Sequence, residues 1–357
     1  MRKLCIYMMI LVIMMPFVSC KSDDDTIISD ATPEVFVIGY EDDPIVIDKV
    51  MLLANGIPVE LSRSNISGRS RGTDVFVSNN DVYVSINELE NDVAHILKNG
   101  IPFLKTDPSE QATINSIYVS GDDVYACGLS FLNGVGVASL WKNGIRTTLE
   151  NTLSNALSVF VDGNDVYVSG LIRDQTVNIS RAIYWKNGVA TVLNNEDYRT
   201  NASGIVAKNG NVYIIGEGYD RNSLAKYWEN GIEIDLNNGE SFYTAAESLY
   251  VDNTDVYIAG SNPLTVTSGD PAPALWKNGV ISFLDEPTIQ GRAVSVTIYK
   301  GDVYVMGMTE KILTEEEEGN MVPDDQRIKI WRNGLEFQNI PTPINSRITV
   351  NAMAVRD

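Results

Sequence analysis

Hydrophobic and polar positions alternate along this chain in short runs, and the runs recur. Residues 156–193 contain one full period. An apolar stretch from Ala156 to Val161 leads into an Asp-Gly-Asn turn, and Asp165-Val-Tyr-Val-Ser-Gly170 follows. After a variable segment come Ala182-Ile-Tyr-Trp185, Asn187-Gly188 and a last run to Leu193. Each run is rich in β-branched and aromatic residues and is bounded by turn formers, which predicts four short strands per period. Asn-Gly between two strands predicts a two-residue type I′ turn, whose central residues both need φ > 0. A convincing 3.6-residue apolar period is missing throughout, so helices are not expected.

Asn-Gly recurs at 55–56, 99–100, 143–144, 187–188, 230–231, 278–279 and 333–334, at spacings of 44, 44, 44, 43, 48 and 55. A Val-Tyr pair keeps nearly the same period at 82–83, 124–125, 166–167, 212–213, 256–257 and 303–304, and five of these tyrosines have a glycine three residues later. Repeats of this length mark solenoids or propellers, and four strands per repeat describe a propeller blade. The ends are complementary. Val35-Phe-Val-Ile-Gly39 is a degenerate Val-Tyr strand with no inner strand before it, and Asn351-Ala-Met-Ala-Val355 is an inner strand with nothing after it. The expected fold is therefore all-β: a seven-bladed β-propeller of four-stranded blades over residues 34–357, closed by the C-terminal strand pairing into the first blade. It resembles propeller proteins generally, without the Asp-box, Trp-Asp or double-glycine signatures of particular families.

All five tryptophans occupy one register. Trp141, Trp185, Trp228, Trp276 and Trp331 fall on the third strand of their blades, with Leu53 and Leu97 at the equivalent positions of blades 1 and 2. There the wedge between blades is wide, so large rings are expected as filling. Toward the axis the wedge narrows, and the repeat supplies Asp74, Ser116, Ser158, Gly204, Ser248, Ser295 and Ala354.

The formal charge of −20 argues against nucleic acid, whose phosphates require a basic surface. The N-terminus is more specific. Arg2 and Lys3 precede an apolar run from Leu4 to Val18, the layout of a secretory signal and too short for a spanning helix. Phe17-Val18-Ser19-Cys20 resembles a bacterial lipobox, although Phe17 is less usual than leucine there. That resemblance implies cleavage after residue 19, acylation of Cys20 (palmitate among the chains) and a mature charge of −22. Lys21-Ser22-Asp23-Asp24-Asp25 resembles the acidic export signal of Bacteroidota surface lipoproteins, and Asp25-Thr26-Ile27 their short O-glycosylation site. The implied organisation is a signal peptide over 1–19, a lipidated acidic linker over 20–33 and the propeller over 34–357. The implied location is the outer membrane, facing the cell exterior.

Candidate chemistry is sparse. Cys5 leaves with the signal, which leaves Cys127 unpaired in an apolar strand, read as a small buried hydrophobe. His95 is the single histidine and sits in a strand register filled elsewhere by Met51, Ser139, Ile183 and Ala274, so packing is its expected role. One histidine cannot supply a Ser/His/Asp set or a metal cluster, and no cofactor or metal is expected.

On the face carrying the longer loops, one residue before each inner strand forms a ring at the channel mouth: Arg71, Thr113, Asn155, Asn201, Ala245, Arg292 and Asn351. Arg63 and Arg69 precede Arg71, and Arg347 precedes Asn351. Ring closure makes Arg292, Arg347 and the Arg63/Arg69/Arg71 group neighbours. Guanidinium forks match carboxylates and sulfates, so these arginines, with Asn155, Asn201 and Asn351, are the candidate ligand site. The alternative is that they pair with acids such as Asp74 and Glu110. The loop from Met308 to Arg327 carries Glu315–Glu318, Asp324 and Asp325, without the oxygen spacing of a calcium loop. The function expected is non-catalytic binding of extracellular glycan or an outer-membrane protein partner. The alternative is a glycan-degrading enzyme, a lyase or hydrolase, on the same scaffold.

Overall fold

The computed structural model describes residues 32–42, 48–61, 66, 68–174, 176–193, 198–220, 222–236, 243–263, 271–311, 326–342 and 347–357. Among them are seven antiparallel sheets of four strands, each one sequence repeat. Blade 4 shows the unit: an inner strand Ser154–Asp162, then Asp165–Asp174, Ile179–Lys186 and an outer strand Val189–Val192. The inner strands of the other blades are Ser70–Ser78, Thr113–Ser120, Arg199–Lys208, Ala245–Asp252, Ile289–Tyr299 and Arg347–Arg356. Each touches the inner strand of the next blade, and the series returns to its start. The last strand, Arg347–Arg356, pairs antiparallel with Glu34–Asp42, so blade 1 is completed by the C-terminus and its inner edge is covered. Residues Pro33–Asp357 form one compact unit.

The turn opposite the loops explains the most conspicuous repeat. In blade 4, Asn187 and Gly188 have φ of 50° and 80°, the type I′ geometry. The Asn187 Oδ1 accepts from the Val166 N–H at 2.9 Å, and its Nδ2 donates to Asp165 Oδ1 at 2.8 Å. Lys186 reaches Asp165 Oδ2 at 2.8 Å and lies over the Tyr167 ring, 5.1 Å from its centroid. The same clamp recurs at Asp81/Lys98/Asn99, Asp123/Lys142/Asn143 and Asp255/Lys277/Asn278. Asp-Val-Tyr and Lys-Asn-Gly are therefore two halves of one hairpin lock. Its lysines hold these aspartates below the usual carboxylate range, with the asparagine bond adding to the effect.

Between blades, the tryptophan of one packs against the sheet of the blade before it. Trp185 meets Tyr125, Cys127 and Ala138, and Trp331 meets Tyr257, Ala259 and Leu275. Tyr83, Tyr125, Tyr167, Tyr213 and Tyr257 thus each share a buried cluster with the tryptophan of the next blade. Leu53 and Leu97 hold the same register. An open groove of about 990 Å³ lies beside blade 1, lined by Met51, Leu53, Val59, Ile328 and Ile340 among others.

The glycine of the Val-Tyr strand has a steric cause. Every inner strand carries a β-bulge, and in blade 4 it falls between Ala156 and Ser158. The bulge turns the Asn155 carbonyl across the second strand, where a Cβ on Gly170 would lie 2.0 Å from that oxygen. Gly39, Gly128, Gly216, Gly260 and Gly307 face the same clash, from the carbonyls of Thr349, Thr113, Asn201, Ala245 and Arg292.

Candidate functional site

That register assigns the loop-face ring by geometry. Arg71, Thr113, Asn155, Asn201, Ala245 and Arg292 are equivalent, paired to the second strand just ahead of the bulge. They lie within the inner strands rather than before them. Blade 1 differs from the expected alignment, because its equivalent residue is Thr349, which pairs with Tyr40. Asn351 is two residues further in, at the bulge itself, and Ala352 rather than Ala354 takes the axial small-residue position. Counting back from a small residue cannot locate a bulge, which adds one residue to one strand only.

The bulge residues point from blade to blade. Asn351 donates to the Gly72 carbonyl at 2.7 Å, Thr73 to the Ile114 carbonyl at 2.9 Å, and Asn115 to the Ala156 carbonyl at 2.7 Å. Asn155 accepts from Asn115 at 3.0 Å. One residue on, the small set forms a second belt. Asp74 accepts from the Ile117 N–H at 2.8 Å, Ser248 from Val296 at 3.1 Å and Ser295 from Met353 at 3.2 Å. Asn155 and Asn351 are thus seated in inter-blade bonds. Burial in the channel wall pushes the Asp74 carboxyl up to about 6, against the pull of bonds from Ile117, Ser116 and Val75. The Cys127 thiol beside it is buried and pushed well up by desolvation, with the Asp74 charge adding.

The arginines divide into two groups. Arg69 Nη2 and Arg71 Nε both reach the buried Asp48 Oδ2, at 3.2 and 2.8 Å, and the Arg71 guanidinium stacks 4.6 Å from the Tyr40 ring centroid. Their acid is Asp48, not the Asp74 or Glu110 weighed from sequence. Glu110 instead receives Arg146 at 3.4 Å and the Trp141 indole at 3.2 Å. Arg292 and Arg347 are exposed and share a loop-face cleft of about 490 Å³ across blades 6, 7 and 1. Gln290, Thr309, Glu310 and Gln326 line the same cleft. Arg63, Cys20 and the acidic stretch from Glu315 to Asp325 lie outside the described residues.

Beside the cleft stands a group that the repeat pattern did not single out. Arg292 Nη1 is 3.5 Å from Glu247 Oε1, and Asn201 Oδ1 accepts from the Glu217 N–H at 3.2 Å. The Tyr219 hydroxyl donates to the Glu217 carboxylate. Burial raises the Glu247 carboxyl above its ordinary value; Arg292 opposes the rise and Glu217 adds to it. Tyr219 is likewise raised, by burial first and then by Glu217 and Glu247. One signal marked these residues in the sequence. Glu247 holds a bulge register filled elsewhere by Thr73, Asn115, Leu157, Ser203, Val294 and Asn351, and Glu217 follows the strand glycine where Leu129, Leu171, Ser261 and Met308 stand in other blades. A carboxylate in either register departs from the repeat.

His95 is buried and shares a 3.0 Å hydrogen bond with the buried Glu88. Desolvation lowers its pKa; Glu88 works against that and Lys105 reinforces it. The histidine therefore has a polar partner as well as the packing role read from its register. Among the described residues no three His, Cys, Asp or Glu side chains are grouped to hold a metal ion, and no helix is long and apolar enough to cross a membrane.

The chain matches no protein-family profile and no curated protein sequence. Among solved structures it is similar to the β-propeller domain of the Trilobed protease from Pyrococcus furiosus, described as having an open velcro topology. That similarity has 11% identity and a TM-score of 0.47, and it covers 87% of this chain and 95% of that one. It is also similar to the acylaminoacyl peptidase of Pyrococcus horikoshii, at 13% identity and a TM-score of 0.44, over 84% of this chain and 48% of that one. At such identities the likeness concerns the fold alone.

Proposed function

We propose that this protein is a non-catalytic binding module, held at the outer face of an outer membrane by acyl chains on Cys20. Its ligand is an anionic extracellular glycan or an outer-membrane protein partner, taken at the loop face. The observation that carries the reading is that two exposed arginines, Arg347 and the Glu247-paired Arg292, line one loop-face cleft together with Gln290 and Gln326. Guanidinium forks suit carboxylate and sulfate, and flanking amides and hydroxyls suit sugar hydroxyls. Arg69 and Arg71 stand outside this cleft, and both reach Asp48.

Titration of the full-length protein in detergent with sulfated, uronic and neutral oligosaccharides tests this reading. Binding of the anionic series that weakens as salt rises and is lost in Arg292→Ala/Arg347→Ala is the expected result. Equal binding of neutral sugars would overturn it.

A second reading rests on Glu217, Tyr219, Glu247 and Arg292. A raised carboxyl at Glu247 paired with Arg292, and a second carboxyl at Glu217 bonded by the Tyr219 hydroxyl, are groups that a glycan lyase or hydrolase could use. Product analysis separates the two: new reducing ends or unsaturated termini favour the enzyme.

A further inference from the structure

The most exposed large apolar side chains of the described propeller are not scattered. Ile57, Ile101, Ile145, Val189, Ile232 and Val280, with Leu335 in blade 7, are 66–76% exposed, whereas the next, Tyr243, is 55% exposed. Each immediately follows an Asn-Gly turn and opens the outer strand of its blade. All seven therefore lie at the base of the turn face, one per blade. The turn itself does not require them. A type I′ hairpin needs Asn-Gly at its centre, and threonine would supply the same β-propensity to the flanking position without an exposed apolar surface.

The charge on this face points the same way. Although the chain carries −20 overall, most charges at the turn-face ends of the strands stand in pairs, with Asp122, Asp162 and Glu229 as acids beyond those pairs. Asp81–Lys98, Asp123–Lys142, Asp165–Lys186 and Asp255–Lys277 are joined at 2.7–2.8 Å. Arg332 pairs with Asp302, Lys300 with Asp357, Arg356 with Glu34, and Lys208 approaches Asp252 at 4.0 Å. An acidic protein thus presents one face whose basic groups each offset an acid, ringed by aliphatic side chains. The chain also enters the propeller on this face. Glu34 begins a second strand, beside Arg356 and at the same end as Val35, which bonds the Asn55 side chain of the turn. Thirteen residues lie between Cys20 and Glu34, so the two are at most about 50 Å apart along a fully extended chain.

We infer that the turn face is a membrane-facing surface, its seven aliphatic side chains resting on the lipid headgroup and acyl boundary while the loop face points away. This rests on the reading of Cys20 as an acylated anchor. Seven shallow aliphatic contacts are weak singly, but a tether attached to the same face makes them act together. The consequence for function is orientation, since the Arg292/Arg347 cleft is then held open to the exterior.

The test places an environment-sensitive fluorophore at Val189→Cys or Ile232→Cys on the turn face, and at Val177→Cys on the loop face. Cys127 is buried and does not compete for label. The full-length acylated protein is reconstituted into phosphatidylethanolamine vesicles with a minor share of phosphatidylglycerol. The expected result is a blue shift and quenching by brominated lipid at the two turn-face positions, and neither at Val177→Cys. Equal responses on both faces, or a response at the loop face alone, overturn the inference. So does a turn-face shift that appears without lipid and grows with protein concentration, which would assign the surface to a second copy. Mass analysis of the N-terminal peptide reads the anchor separately. Unmodified Cys20 with turn-face quenching rejects the anchor alone, whereas acylated Cys20 without quenching rejects the surface. In protein carrying Cys20→Ser, replacing Ile57, Ile145, Ile232 and Val280 by threonine should abolish residual vesicle co-sedimentation while leaving the melting transition in place.

Discussion

The side-chain amide of Asn351 donates to the main-chain carbonyl of Gly72 at 2.7 Å, across 279 residues of sequence. This bond ties the C-terminal strand to the first strand of blade 2, as the ladder to Glu34–Asp42 ties it to blade 1. The ring is therefore closed by a strand with partners on both sides.

Deleting Ile348–Asp357 should remove that closure, expose the edge of Glu34–Asp42 and uncover Val35, Val37 and Tyr304 in their shared cluster. The expected outcome is loss of cooperative unfolding or aggregation, read by calorimetry and light scattering. Asn351→Ala is milder: one orphaned carbonyl, about 1 kcal/mol lost in urea titration. A truncated protein that melts like its parent would mean an open array.

Gly170 and Gly163 should respond unequally to alanine. At Gly170 the new Cβ meets the Asn155 carbonyl at 2.0 Å, so the bulge itself must shift, and a loss of about 3 kcal/mol or more is expected. Gly163 has φ of 59° with nothing within 4 Å of the new Cβ, and only the left-handed backbone cost of about 1–2 kcal/mol should appear. Equal losses at the two sites would remove the carbonyl clash as the cause of the repeated glycine.

The two arginine groups should separate stability from binding. Arg71→Ala leaves the buried Asp48 carboxylate with Arg69 alone, so stability should fall by about 1–3 kcal/mol with little effect on ligand. Arg347 is exposed in the cleft, so Arg347→Ala should weaken anion binding and leave the urea midpoint unchanged. The reverse pattern would move the site to blade 2.

Asp74 should make stability fall with rising pH. Its carboxyl sits at about 6 in the folded protein against an ordinary 3.8, so between those values the folded state holds a proton that the unfolded chain has released. Its contribution is therefore greatest below pH 4 and is lost as pH rises through 6, by at most about 3 kcal/mol. Asp74→Asn keeps an oxygen for the Ile117 N–H and has nothing to titrate. The difference between variant and parent urea midpoints should grow from pH 4 to pH 6 and then level off; a flat difference would discard the raised carboxyl.

The sequence by itself determined the fold, down to the number of blades and how the ring closes. Its signals are local and repeated: Asn-Gly needs positive φ wherever it occurs, and Asp-Val-Tyr with Lys-Asn-Gly is a lock completed within one hairpin. Seven repetitions of a short-range rule leave little room for another architecture. The tertiary structure alone decided three matters. The bulge set the true equivalent of Arg71 in blade 1 as Thr349 rather than Asn351, because an extra residue in one strand is visible only against its partner. Asp48, 23 residues from Arg71, took that guanidinium, so an apparent basic patch became a structural ion pair on one side and a cleft on the other. Glu217, Tyr219, Glu247 and Arg292 met across blades 5, 6 and 7, though no spacing in the chain relates them. Hairpin chemistry acts within one repeat and can be read in order. A site at a channel mouth is assembled from separate blades, and charge pairing there depends on distances that only the closed ring sets.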